Sequence, residues 1–195
     1  MKRREFLTTS TAAGLGLAAA AVAKADNHTN RELLELRTYH FANPAKLAAF
    51  ETFLAKTAIP ALNRAGIKPV GVFKLLKADN PRLNLEADST DLYVLIPHKT
   101  ADSVATMISR LSEDSWLTGE GAGVIDAPKD DPAYTRFESS LLLSFPGVPK
   151  VEVPTLAETR LLQLRIYESH CDERALMKIA MFEQGGEIAI FRRVA

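Results

Sequence analysis

Cysteine is almost missing from this chain of 195 residues: Cys171 stands alone. One thiol closes no intrachain disulfide, and it cannot supply a paired-cysteine zinc site or an iron–sulfur cluster. No neighbouring motif would lower its pKa, so Cys171 reads as a partly buried thiol at a strand end rather than a nucleophile. Net charge is missing as well, since 24 Lys and Arg balance 24 Asp and Glu. Residues 1–25 hold Lys2, Arg3, Arg4 and Lys24 against Glu5, which leaves the remainder with 20 basic and 23 acidic groups, a formal charge of −3. A slightly acidic body does not track phosphates, and nucleic acid is not an expected partner. No Walker loop, HExxH, CxxC or Ser/His/Asp order is written in the chain. The apolar run from Ala12 to Ala23 is too short and too weakly hydrophobic for a stable membrane span. What remains is an ordinary globular composition, 47% apolar and 25% charged, sufficient for a real core.

The first 25 residues have the three parts of an export signal: the basic Lys2-Arg3-Arg4, the apolar run, and the small-residue site Ala23-Lys24-Ala25, with cleavage expected before Asp26. Arg3-Arg4-Glu5-Phe6-Leu7 resembles the core of a bacterial twin-arginine signal. The resemblance implies recognition of residues 1–25 by the twin-arginine export machinery, and a folded protein delivered to the periplasm or secreted.

In the rest of the chain, alternation predicts a strand over Leu33–Phe41, with Leu34, Leu36, Thr38 and His40 on one face and Glu35, Arg37, Tyr39 and Phe41 on the other. Asn43-Pro44 opens a helix whose stripe is Leu47, Phe50, Leu54, Ala58 and Ala61; Pro60 should kink it and Gly66 should end it. Further strands are expected over Lys68–Ala78, Asp91–Pro97 and Glu138–Phe145. Thr100 or Asp102 caps a second helix with Val104, Met107, Ile108 and Leu111 inward, followed by a glycine- and proline-bearing loop. This β-α-β-β-α-β order is the ferredoxin-like unit of an α+β fold, expected over residues 31–146.

A proline-rich tether (147–159) then leads into a partial copy of that unit over residues 160–195. Leu161–Glu168, LLQLRIYE, nearly repeats LLELRTYH of Leu33–His40, a helix is expected over Asp172–Glu183, Gly185-Gly186 closes it, and Glu187–Val194 reads as a strand. The expected fold is thus one complete ferredoxin-like unit followed by an incomplete second βαβ copy. The repeated strands place Leu34, Leu36 and Thr38 in register with Leu162, Leu164 and Ile166, residues suited to packing under a helix. Glu35, Arg37 and Tyr39 match Gln163, Arg165 and Tyr167, and two sheets stacked by these polar faces would enclose a chamber.

The chain resembles the NIPSNAP family here. The residues that carry the likeness are Leu34-Glu35-Leu36-Arg37-Thr38-Tyr39, Asn63-Arg64-Ala65-Gly66, Val70-Gly71-Val72-Phe73 and Tyr93-Val94-Leu95-Ile96-Pro97-His98, then Leu164-Arg165-Ile166-Tyr167 and Gly185-Gly186-Glu187-Ile188-Ala189-Ile190-Phe191. The resemblance implies ferredoxin-like units paired as a dimeric α/β barrel, and it brings no catalytic residues. An unfinished second unit leaves a sheet edge that a second copy of the chain would cover. The alternative is a truncated gene product.

Candidate ligand-binding residues are Glu35, Arg37, Tyr39, Arg165 and Tyr167: arginines for a carboxylate or other anion, tyrosines as hydrogen-bond donors. The competing reading is an internal Arg–Glu pair that holds the sheets in register. His40 and His98, if their strands run parallel as neighbours, would meet at one sheet end as two ligands of a metal or an acid–base pair; the simpler reading is two exposed strand-end histidines. His170 is out of step with them. Trp116 and Tyr134 would cap the chamber mouth or pin a loop. No cofactor is expected, and haem lacks an axial histidine on the inner face. The function these residues suggest is binding of a small molecule between sheets, with chemistry unassigned; the alternative is a non-enzymatic dimerisation or interaction module.

Overall fold

The computed structural model describes residues 30–153 and 160–194. The export signal expected over residues 1–25 lies outside the described residues, as do residues 154–159 of the tether. From Arg31 onward the chain forms one compact α+β unit. Strands β1 (Leu33–His40), β2 (Gly71–Lys74), β3 (Asp91–His98) and β4 (Arg136–Leu143) form one antiparallel sheet in the order β2-β3-β1-β4.

Asn43 starts helix α1 (Pro44–Phe53), its side-chain oxygen accepting the Lys46 amide at 3.0 Å, with Pro44 where the helix needs no N–H. Pro60 has no amide hydrogen, so the Lys56 carbonyl one turn earlier loses its helical partner. The chain responds by widening to a π-helical turn over Leu54–Ala58 before resuming as α2 (Ile59–Arg64). Trp116 also donates its indole N–H to the Lys56 carbonyl at 3.3 Å. Gly66, at φ +81°, then ends α2: its amide bonds to Asn63 O at 3.0 Å, and the Ile67 amide reaches back to Leu62 O at 2.9 Å. Leu62 and Ile67 are both buried, the hydrophobic contact that accompanies this stop. Helix α3 (Ala101–Ser112) is capped by Thr100, which accepts the Ser103 amide at 3.1 Å. It buries Met107, while Ile108, expected in the same stripe, is 72% exposed. The sequence expected to loop forms two short helices, α4 (Ser115–Glu120), capped by Asp114, and α5 (Ala122–Ile125).

Leu47, Phe50, Leu54, Leu62 and Met107 pack with Leu92, Val94 and Ile96 on one face of the sheet. The ladder aligns Glu35 with Ile96, Arg37 with Val94 and Tyr39 with Leu92, and directly paired residues share a face. Glu35, Arg37 and Tyr39 therefore lie beneath the helices, and the expected faces are reversed. Leu34, Leu36 and Thr38 occupy the opposite face with Leu95 and Tyr93, partly exposed. Aromatic packing and charge pairing account for the reversal. The Tyr39 ring joins Phe50, Tyr134 and Phe137, with centroids 4.7, 5.2 and 5.6 Å away, and Glu35 neutralises Arg37.

The second βαβ copy is not formed. Leu161–Glu168 makes no strand. β1 is held by ladders on both sides, whereas its copy has none, and an unpaired strand leaves its amides to water. Leu161 and Ile166 are 81% and 76% exposed. Glu187–Val194 is a helix, α7, rather than a strand. Without a ladder to join, its backbone bonds internally, and Glu187 at its start with Arg192 and Arg193 at its end suits the helix dipole. It follows α6 (Asp172–Gln184), with Gly186 at φ +81° between them. Cys171 is exposed at the start of α6, not half-buried at a strand end. The α6 helix is tied back by the Glu183 carboxylate, which accepts the Gly147 amide at 3.0 and 3.1 Å, and by Phe182 against Phe145.

Candidate functional site

β1 presents Glu35, Arg37 and Tyr39 at alternate positions under the helices. Arg37 donates from Nε to Glu35 Oε1 at 2.7 Å, from Nη2 to Oε2 at 3.2 Å, and from Nη1 to the Tyr39 hydroxyl at 3.2 Å. From β4, Ser139 donates its hydroxyl to Glu35 Oε1 at 2.7 Å. Burial alone would raise the Glu35 pKa, but the hydrogen bonds from Arg37 and Ser139 and the Arg37 charge outweigh it and hold the carboxyl below its usual range. The Arg37 side chain is 16% exposed, so it is an internal ion-pair partner rather than an open anion receptor. Burial raises the Tyr39 hydroxyl above its ordinary pKa, which keeps it a neutral donor or acceptor.

The network continues into β3. His98 pairs with Leu33 in the ladder, which puts its ring on the helix-covered face next to Glu35. Its side chain has no solvent exposure. Nε2 lies 3.4 Å from Glu35 Oε2, too oblique for a full hydrogen bond but close enough for the carboxylate to act on the ring through its charge. Nδ1 lies 3.1 Å from the Ser103 hydroxyl, in the first turn of α3. Burial lowers the His98 pKa, aided by Arg37 and opposed by Glu35, so the imidazole is neutral. The Glu35 charge favours the tautomer with the proton on Nε2, and in that tautomer Nδ1 accepts from Ser103. Ser103 itself is half-buried and lines a cleft of about 300 Å³ with Gly66, Pro97, Lys99, Thr100 and Arg110.

The other candidates fall elsewhere. β1 and β3 run antiparallel, so His40 lies opposite Asp91 while His98 lies opposite Leu33; the two histidines are at opposite ends of the ladder and on opposite faces. They cannot share a metal. His40 instead bonds through Nδ1 to Asp91 Oδ1 at 2.8 Å, with Glu138 Oε1 3.7 Å from Nε2. Arg165 and Tyr167 do not join Arg37 in a chamber. Arg165 is exposed, donates to Gln163 at 2.7 Å and lies over Phe191, while Tyr167 packs on Phe182. Trp116 serves the Pro60 break, Tyr134 belongs to the Tyr39 cluster, and His170 is exposed ahead of α6. Among the described residues no group of three or more His, Cys, Asp and Glu could hold a metal ion, and no helix is long and apolar enough to cross a membrane.

No protein-family model, curated protein or solved structure matches the chain. Ser103 and Ser139 were missed from sequence because neither belongs to a local motif. The signal that could have found them is parity: in an antiparallel β1–β3 ladder, His98 shares a face with Glu35 and stands two residues before the helix cap Thr100.

Proposed function

We propose that the chain is an exported, NIPSNAP-like protein with a ferredoxin-like core, which pairs with a second copy through the open face of its sheet and encloses a small, largely apolar molecule there. The observation that carries this reading is the open face itself. Leu34, Leu36, Tyr93 and Leu95 are partly exposed on it. Beside them, opposite Leu34, the edge strand β4 adds Leu142, 43% exposed. An apolar face ending in an unpaired apolar edge invites a partner surface. His40, Asp91, Arg136 and Glu138 gather at one end of the same face and supply a polar rim. The ligand is met by leucine and tyrosine, with arginine engaged on the other side of the sheet. Export rests on Arg3-Arg4-Glu5-Phe6-Leu7 in the sequence.

A second reading, a pairing module with a filled interface and no ligand, is favoured by the position of the 300 Å³ cleft, which lies beside α2 and α3 rather than on the open face. Sedimentation and native mass spectrometry of the purified exported chain test both. A dimer carrying a small apolar molecule is expected. A bare dimer selects the module, and a monomer at micromolar concentration overturns pairing altogether.

A further inference from the structure

The constellation of Ser103, His98 and Glu35 is absent from the sequence as a motif and is assembled by the fold. Three features set it apart from an ordinary helix cap. The acceptor is a side chain with no solvent exposure, not a backbone group. The imidazole is itself backed by a carboxylate that Arg37 and Ser139 fix in place through hydrogen bonds of 2.7 Å each. Ser103 is one of the residues lining a cleft that also holds Lys99 and Arg110. Serine, imidazole and carboxylate follow one another in the order that activates a serine, with the roles of the two ring nitrogens exchanged: Ser103 is 3.1 Å from His98 Nδ1, and Glu35 acts on Nε2 through its charge at 3.4 Å rather than through a full hydrogen bond.

From this arrangement we propose that Ser103 is an acyl-transfer nucleophile that hydrolyses small carboxylic esters bearing an anionic group, with His98 as its general base and Glu35 as a positioning residue. In the first half-reaction the Ser103 oxygen attacks the ester carbonyl carbon and its proton passes to His98 Nδ1. The carbon–oxygen bond to the alcohol breaks, and His98 returns the proton to the departing alkoxide. Water then attacks the acyl-serine, His98 takes the water proton, and the bond to Ser103 breaks with that proton restored to the serine. The products are an acid and an alcohol, with no redox change. Lys99 and Arg110 are the cations that face the substrate's anionic group and the charge that develops on the carbonyl oxygen. Ile67 and Pro97, both buried, form the apolar wall against which a short acyl chain rests. The cleft volume, at the lower limit of small-molecule sites, restricts the substrate to a few carbons.

The test is covalent labelling of the full chain with a fluorophosphonate, read by intact mass and peptide mapping, alongside hydrolysis of 4-nitrophenyl acetate and the 4-nitrophenyl monoester of succinate. One adduct on Ser103 is expected, lost in Ser103→Ala, a variant of a half-buried helix position whose fold is checked by circular dichroism. The succinate ester should be hydrolysed faster than the acetate, by about 10-fold or more, and His98→Gln should slow both by about 100-fold. Glu35→Gln should move the acid limb of the pH–rate profile, where His98 loses its proton, to lower pH, because the carboxylate raises the basicity of His98; a merely structural role for Glu35 would leave that limb in place. Absence of an adduct on the folded wild type, or an adduct that survives Ser103→Ala, overturns the proposal.

Discussion

Glu35 Oε2 lies 3.4 Å from His98 Nε2, beneath the helices, so a carboxylate and an imidazole share the covered face of the sheet. Both have depressed pKa values in the fold, Glu35 through Arg37 and Ser139 overcoming its burial, His98 chiefly through burial. A depressed folded pKa means that the unfolded chain binds the proton more readily, so stability rises with pH between the two values. For His98 the contribution is complete above its ordinary value of 6.5 and declines as pH falls below it. For Glu35 it is complete above 4.5 and is lost as pH falls through the lower folded value. Urea unfolding across pH 3–8 should therefore show two declines on acidification, the upper one absent in His98→Gln and the lower one absent in Glu35→Gln.

Removing Glu35 outright has a larger consequence. Arg37 would be left as an uncompensated cation in a largely buried site. Glu35→Ala should cost about 3–5 kcal/mol, whereas the joint replacement of Glu35 and Arg37 by apolar residues should cost much less. Chemical unfolding of the single and double variants measures the difference, and equal losses would contradict the pairing.

Trp116 and Pro60 are coupled through the Lys56 carbonyl. Trp116→Phe should cost about 1 kcal/mol, the net contribution of one hydrogen bond. Pro60→Ala restores an amide that can serve that carbonyl, so in its background the Trp116→Phe penalty should shrink. A double-mutant cycle in urea reads the coupling directly.

Asp114 is a local test of the helical layer. Arg64 holds it with two hydrogen bonds of 2.8 Å, and the Leu117 amide caps onto it at 2.9 Å. Together they lower its pKa to about 2. Carboxyl NMR titration should return that value, and Arg64→Gln should move it up toward 3.8, the ordinary value for this side chain.

The local elements were legible where the signal is local. Asn43-Pro44, Thr100 and Gly66 mark helix ends by their own chemistry, and Leu47, Phe50, Leu54 and Ala61 are all buried as their spacing requires. What polarity could not tell was which face of β1 meets the helices. Leu34, Leu36 and Thr38 look like the inner face, yet the polar set is inside because Arg37 is paired and Tyr39 is mostly ring. Strand direction was a second source of error: treating β1 and β3 as parallel joined His40 to His98 and hid the approach of His98 to Glu35. Leu161–Glu168 shows the limit of likeness, because the sequence of β1 without its ladders does not make β1.

The claim that the open sheet face is the pairing face is tested most directly by sedimentation of Leu36→Glu, which puts a charge at the centre of that face and away from the helical core. The proposed pairing requires wild type to sediment with the mass of two chains. Leu36→Glu should then sediment as one chain, with its circular dichroism unchanged and its dimer affinity weakened by about 100-fold or more. A variant that stays dimeric at the wild-type concentration would contradict it.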